Sequence, residues 1–398
     1  MINSENIPKG FFSSALKSGI KNNDYDLAII KSEPPSVVSA LYTQNKFQAA
    51  PIIFSKKNDK NKIDLLIVNS GIANSLTGKK GYDNVLNIAD FASKFFKCKK
   101  ENILTASTGI MGVHLDIEKI KNAIKKSSLN KGFDNIIKAI QTRDKFDKVY
   151  SAKLNIGDKT ANFYAIAKGT SIVHPNMATI LLFIFTDLNI EKEALNKAFK
   201  ESIDKTLNRI SIDGETSTND TAIIMANGLA DNKIITEKDK KSFKLLRNKL
   251  DEICANLSKM IVLDGEGITK TIIVSVKRAK TQKDAFEIAK SVATSNLIKI
   301  LFISLSPNYE KILSTVGNTN INIKNLSLSV NGINIYKNGE LNNNKSDINR
   351  LKESFNFNKE KKEHSIILDC GYNTKYEDYY YFTDITQEYI SVHSSYNI

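Results

Sequence analysis

The stretch from Lys168 to Asp187 reads KGTSIVHPNMATILLFIFTD and decides how the chain is organised. Its first half is polar and turn-prone, with Gly169, Thr170, Ser171, Pro175 and Asn176. It closes on Met177-Ala178-Thr179, and Ile180 to Phe185 follow as an apolar run with the length and composition of a buried strand. A threonine hydroxyl thus stands where a loop enters a rigid strand. Nucleophiles favour such positions, because the strand fixes them and the loop leaves them accessible. Taken alone, the segment more readily describes an ordinary threonine opening a strand.

Working outward, short apolar runs alternate with helical patterns. Asp64 to Asn69 (DLLIVN) reads as a buried strand and Asn84 to Phe96 as a helix. A second helix is expected from about Glu191 to Arg209, where Leu195, Ala198, Phe199, Ile203 and Leu207 recur at helical spacing. Ala222 to Met225 reads as a strand, Phe243 to Leu257 as a long amphipathic helix, and Thr271 to Val276 as a further strand. Asn342 to Asp347 (NNNKSD) reads as an exposed loop. This mixture predicts a layered α/β or α+β protein, and 398 residues suffice for two subdomains.

Composition narrows the function classes. The three cysteines (Cys98, Cys254, Cys370) are odd in number and far apart, which fits reduced thiols better than a disulfide framework. The four histidines show no ligand spacing, so no metal is expected. The net charge of +14 comes from lysines interleaved with acidic residues, as in Glu191 to Lys205, without an arginine-rich arm. A solvated basic surface that attracts anionic substrates is expected, not a nucleic-acid binder. No apolar segment is long enough to span a bilayer and the first ten residues lack a signal core, so the expected location is cytoplasmic.

Five motifs in order go further: NSGIAN (Asn69 to Asn74) with Thr77-Gly78, STGIMG (Ser107 to Gly112), AKGTSIVHPNMATILLF, DGETSTNDT (Asp213 to Thr221) and DGEGITK (Asp264 to Lys270). In these the chain resembles the ornithine acetyltransferase family, the bifunctional glutamate N-acetyltransferases of arginine biosynthesis. The resemblance runs from about Pro8 to the C-terminus. It implies a sandwich of two β-sheets between helical layers, of the self-processing N-terminal-nucleophile type. It also implies cleavage between Ala178 and Thr179 into chains 1–178 and 179–398, assembled as a heterotetramer with two copies of each.

A threonine hydroxyl is a weak nucleophile without an adjacent base, and no histidine–carboxylate partner is evident here. A chain break before Thr179 supplies one, since a free α-amine has a reference pKa of about 7.7–8.0. The resemblance implies that Thr179 is the nucleophile, with Thr108 and Gly109 as the oxyanion-stabilising pair. It further implies substrate contacts from Thr142, Lys168, Thr179 and Glu266. The reaction implied is ping-pong transfer of acetyl from N2-acetylornithine to glutamate, with no cofactor and with acetyl-CoA open as a second donor. Asp213, Gly214 and Ser217 to Asp220 are expected to support the site.

Several positions depart from the family pattern. The second threonine of a TTD motif is Arg143. NSGNAN has become NSGIAN, and a DPNWGR-like segment reads Ser306-Pro307-Asn308-Tyr309-Glu310-Lys311. In the tail, His393 and Ile398 stand where Asn and Thr are usual. An N-terminal-nucleophile amidohydrolase or aminopeptidase, or a homologue without activity, therefore stays open as an alternative.

Overall fold

The computed structural model describes residues 7–174, 180–303, 308–322, 325–356 and 363–394. The chain divides into two compact units. The first comprises Met1–Gly169, Pro175–Asn208 and Glu215–Ile261, and the second Thr170–His174, Arg209–Gly214 and Val262–Ile398. Each unit holds one sheet with helices, so the expected mixed α/β class with two sheets is found.

The strands, in chain order, are β1 (Phe11–Leu16), β2 (Leu27–Tyr42), β3 (Ile63–Asn69), β4 (Ile103–Ser107), β5 (Asn130–Lys131), β6 (Lys148–Ile156), β7 (Lys159–Lys168), β8 (Leu181–Thr186), β9 (Ile210–Ser211), β10 (Thr221–Ala226), β11 (Thr271–Ala279), β12 (Ser327–Val330), β13 (Ile333–Lys337), β14 (Glu340–Leu341), β15 (Glu363–Asp369) and β16 (Tyr376–Thr383). In the first unit the described order is β4-β3-β2-β10-β8-β7-β6, with β1 and β5 attached beside β2. Two pairs in this sheet are parallel, β3 with β4 and β8 with β10.

Alternation explains why both faces of this sheet are dry. In β2 and β3, Leu27, Ile29, Leu65 and Ile67 point to one face, where they meet the helices Gly78–Phe96 and Ile117–Lys125. Ala28, Ile30, Leu66 and Val68 point to the other and pack with Phe183, Phe185 and the helix Ile136–Ile140. Every residue of β8 and β10 is buried. Strands covered on both faces read as unbroken apolar runs, which is why both are legible in the sequence.

Several boundaries differ from expectation, and two have a clear local cause. The helix expected from Asn84 begins at Gly78. Its first turns contain Gly81, buried where an added Cβ would lie 1.9 Å from the Thr77 hydroxyl oxygen, so a glycine that looks like a breaker is a packing requirement. The NNNKSD segment is only half loop, since the helix Lys345–Asn356 starts inside it. The Asn344 side chain accepts the Ser346 N–H at 2.9 Å, a helix-initiating contact made by the residue types that otherwise mark turns.

In the second unit the described order is β14-β13-β12-β15-β11-β16-β9. The helix Gln282–Thr294 supplies Ala285, Ile288, Ala289 and Val292 to the core shared with β11 and β16. Lys299 is fully buried beneath this sheet, donating to the carbonyls of Ile212 at 2.9 Å and Thr383 at 3.1 Å, with Nζ 5.2 Å from the centre of the Phe382 ring. Burial lowers its pKa from 10.5 to about 7, against the opposing pull of Asp213 and Asp384. Between those two values the unfolded chain binds a proton that the folded chain does not, so this group's contribution to stability rises with pH from about 7 towards 10. Urea unfolding across that window should show wild type gaining on Lys299→Met by on the order of a few kcal/mol. A constant difference would show that the lysine keeps its ordinary affinity for protons.

Candidate active site

The parallel pair β3–β4 ends in register at Asn69 and Ser107, so the NSGIAN and STGIMG loops leave the sheet side by side. They are stitched together by backbone bonds: Thr108 N–H to Asn69 O at 3.0 Å, Ile110 N–H to Gly71 O at 3.0 Å and Ala73 N–H to Ile110 O at 2.9 Å. Ile72, which replaces a polar residue of the family motif, forms a bridge with Ile110. Asn219, from DGETSTNDT, donates through Nδ2 to the carbonyls of Ala73 at 2.6 Å and Ser107 at 2.9 Å, so it bolts both loops to a third.

Gly109 is held at φ +126°, in the region that favours glycine. A Cβ there would lie 2.2 Å from the Gly71 carbonyl carbon. Thr108 beside it is half-buried, and its Oγ1 accepts a hydrogen bond from Lys168 Nζ at 3.1 Å. Lys168 is the last residue of β7, at the strand end that its sequence context predicts.

Thr142 is exposed, and its backbone N–H donates to Asp144 Oδ2 at 3.1 Å. The other carboxylate oxygen accepts Gly169 N–H at 3.1 Å and Lys148 Nζ at 2.6 Å. The Asp144 and Lys148 side chains are both fully buried. Burial works to raise the Asp144 carboxyl, and the charges of Lys168 and Lys148 with the hydrogen bonds outweigh it, holding it below the usual carboxylate range. Asp220, just before β10, is also buried, and burial raises its carboxyl well above that range despite the nearby Lys168. Thr108, Gly109, Thr142 and Lys168 are thus brought together in the first unit.

Glu266 belongs to the second unit. Its Oε1 accepts the Thr170 hydroxyl at 2.9 Å, and its N–H donates to Thr170 O at 2.8 Å. Oε2 lies 3.3 Å from His393 Nε2, and the His393 ring packs on Tyr389 with centroids 4.4 Å apart. Tyr389 in turn donates to Asp213 Oδ2 at 3.2 Å. The Asp213 carboxylate also accepts Ile172 N–H at 2.5 Å and Val173 N–H at 2.8 Å. Ile172 sits at φ +54°, a strained setting for a β-branched residue, and Asp213 holds it there. Both carboxylates therefore anchor the approach to Pro175 through different residues. Ala178 and Thr179, the expected cleavage site and nucleophile, lie outside the described residues, as does Ile398.

Sequence reasoning gives Asp144 no role and passes over Lys148. The available signal is the four-residue spacing of opposite charges beside Thr142. The position of His393 against Glu266 has no local signal, because the two residues are far apart in the chain and meet only in the fold.

The chain is similar in sequence to known proteins. The family model described as ArgJ family matches residues 13–398. The chain belongs to the ArgJ family. The arginine biosynthesis bifunctional protein ArgJ of Caldanaerobacter subterraneus subsp. tengcongensis is 41% identical over 315 residues, covering 78% of this chain and 78% of that relative. The ArgJ protein of the same description from Oceanobacillus iheyensis is 33% identical over 394 residues, covering 98% and 95%. A crystal structure of ArgJ from Bacillus halodurans is 32% identical with a TM-score of 0.42, covering 43% of this chain and 92% of that one. The family read from the five motifs is borne out.

Proposed function

We propose that this ArgJ-family enzyme transfers the acetyl group of N2-acetylornithine to glutamate through an ester on Thr179, as a step of arginine biosynthesis. The observation that carries the reading is the Thr108–Gly109 corner with Lys168 bonded to the Thr108 hydroxyl. It is a preplaced donor set of the kind acyl transfer needs. The relatives' description as bifunctional proteins of arginine biosynthesis supports the same reading.

The precursor is cut first: the Thr179 hydroxyl attacks the Ala178 carbonyl, the peptide becomes an ester, and water hydrolyses it. This leaves chains 1–178 and 179–398 and a free Thr179 α-amine. In the first half-reaction Thr179 Oγ attacks the acetyl carbonyl and its proton passes to that amine. The C–N bond then breaks as the proton is returned to the departing ornithine nitrogen. In the second, the glutamate amine attacks the ester, and the Thr179 oxygen leaves and regains a proton. Thr108 Oγ1–H and the Gly109 N–H face the developing oxyanion. Glu266 and Thr142 contact the substrate, and two copies of each chain form the assembled enzyme.

The test is exchange. Purified protein incubated with N2-acetylornithine and isotopically labelled glutamate should release labelled N-acetylglutamate, and the fragment beginning at Thr179 should carry one acetyl group when glutamate is withheld. Free acetate with no acetylglutamate would replace the transferase reading with the amidohydrolase one. A parallel arm with acetyl-CoA as sole donor separates a bifunctional enzyme from a monofunctional one.

His393 adds an expectation of its own. An imidazole beside Glu266 competes with a substrate ammonium group for that carboxylate. His393→Asn should lower KM for N2-acetylornithine by about two- to tenfold, the worth of one polar contact, with self-cleavage unchanged. Steady-state kinetics on both proteins checks it, and an unchanged KM would detach His393 from substrate binding.

A further inference from the structure

One buried carboxylate links two residues expected to touch substrate. Asp144 Oδ2 takes the N–H of Thr142, and Oδ1 takes the N–H of Gly169, immediately after Lys168. Lys148 Nζ closes on the same Oδ1, so the carboxylate is paired inside the protein and needs no solvent. Lys148 is also the first residue of β6, paired in register with Ala167, which ties this charge to the strand that ends in Lys168. The consequence reaches Thr108, because Lys168 Nζ lies 3.1 Å from its Oγ1.

The direction of that last bond matters. An ammonium offers donors and no acceptor, so the threonine oxygen must accept. Its own hydrogen is then turned away from Lys168. Among the described residues, the Thr108 hydroxyl makes only this hydrogen bond. A hydroxyl in that state is committed to donating, which is what an oxyanion requires and what a freely rotating threonine does not guarantee.

We propose that Asp144, charge-balanced by Lys148, is the positioning residue of the acyl-transfer site, holding Lys168 so that it orients the Thr108 hydroxyl as a donor to the oxyanion. This rests on the reading of Thr108 given under Proposed function. Lys168 then acts through Thr108 rather than only as a contact for substrate, and Asp144 acts through Lys168.

A double-mutant cycle tests it, with rates normalised to the cleaved fraction on denaturing gels. Thr108→Ala should lower kcat roughly a hundredfold, and Lys168→Met, which keeps the stem and removes the donor, by about tenfold or more. In the Thr108→Ala background, Lys168→Met should cost less than about twofold in kcat, because the hydroxyl it orients is gone. The paired variant Asp144→Asn/Lys148→Met, which leaves no lone buried charge, should show the same loss alone and the same silence in the Thr108→Ala background. Thermal melts identify any variant that has lost its fold, and the cycle through the other partner then decides. Independent, multiplying losses in kcat, or losses confined to KM, would overturn the proposal while leaving the oxyanion role of Thr108 standing. An unchanged rate in Thr108→Ala alone would instead overturn that role, and the proposal with it.

Discussion

Thr179→Ala should leave one full-length chain and reduce acetyl exchange by ~10³-fold or more, the scale seen when a nucleophile is removed from a unit that acts together. In the mechanism we propose, the residue carries two functions in sequence. Before cleavage its hydroxyl would attack the Ala178 carbonyl. After cleavage the same oxygen would take the acetyl group, and the new α-amine beside it would move the proton. Alanine removes the first function, so the amine never forms and the second is lost as well. Thr179→Ser keeps a hydroxyl without the methyl that restricts its rotation, and should cleave slowly and partially. Gel analysis, N-terminal sequencing and the exchange assay read all three proteins together. Exchange at the wild-type rate in Thr179→Ala would place the nucleophile elsewhere.

Gly109→Ala should be nearly as damaging, for reasons already visible in the fold. The added Cβ would meet three backbone atoms, Gly71 C at 2.2 Å, Gly71 O at 2.4 Å and Ile72 N at 2.6 Å, at a φ of +126° that alanine avoids. None of these is the end of a flexible side chain. Gly71 is itself held by Ile110 N–H, so the two loops cannot part without losing that bond. The corner must shift by on the order of an ångström, which takes Thr108 away from Lys168 and costs roughly a hundredfold in kcat. A stability loss of about 2–4 kcal/mol should accompany it. Gly112→Ala is the control in the same motif. Its φ is also positive, at +78°, but no atom lies within 4 Å of the added carbon, so only the backbone cost of about 1 kcal/mol applies. Urea melts and exchange kinetics on the pair check the contrast. Equal effects would show that conformation alone, and not the close approach to Gly71, sets the penalty.

What the sequence disclosed follows from what is local. β3, β8 and β10 are legible because strands buried on both faces are unbroken apolar runs. The helix Lys192–Lys205 is legible because its spacing is regular, with Leu195, Ala198 and Phe199 all buried. The Thr108–Gly109 corner and Lys168 can be named because each sits in a motif. Their hydrogen bond cannot, since 60 positions separate them and only the sheet brings them together. The Asp144–Lys148 pair is hidden for another reason. On a chain with 57 lysines and arginines, one more lysine reads as surface, and burial is the property that sets this one apart.

The proposed cut before Thr179 falls between β7 and β8, and the order of the first sheet then has a consequence for the two pieces. β10 and β8 follow the cut and lie between β2 and β7, which precede it. Strands of one fragment are therefore threaded into the middle of a sheet built by the other, with bonds running from β10 to β2 and from β8 to β7. Neither fragment retains the complete first sheet by itself. Folding of the uncut precursor is a unimolecular search, whereas regain of structure from the separated fragments is a bimolecular one that slows on dilution. Cleavage thus converts a chain that can refold into an assembly with a memory of how it was made: what denaturant takes apart, only a concentrated mixture of both fragments can restore.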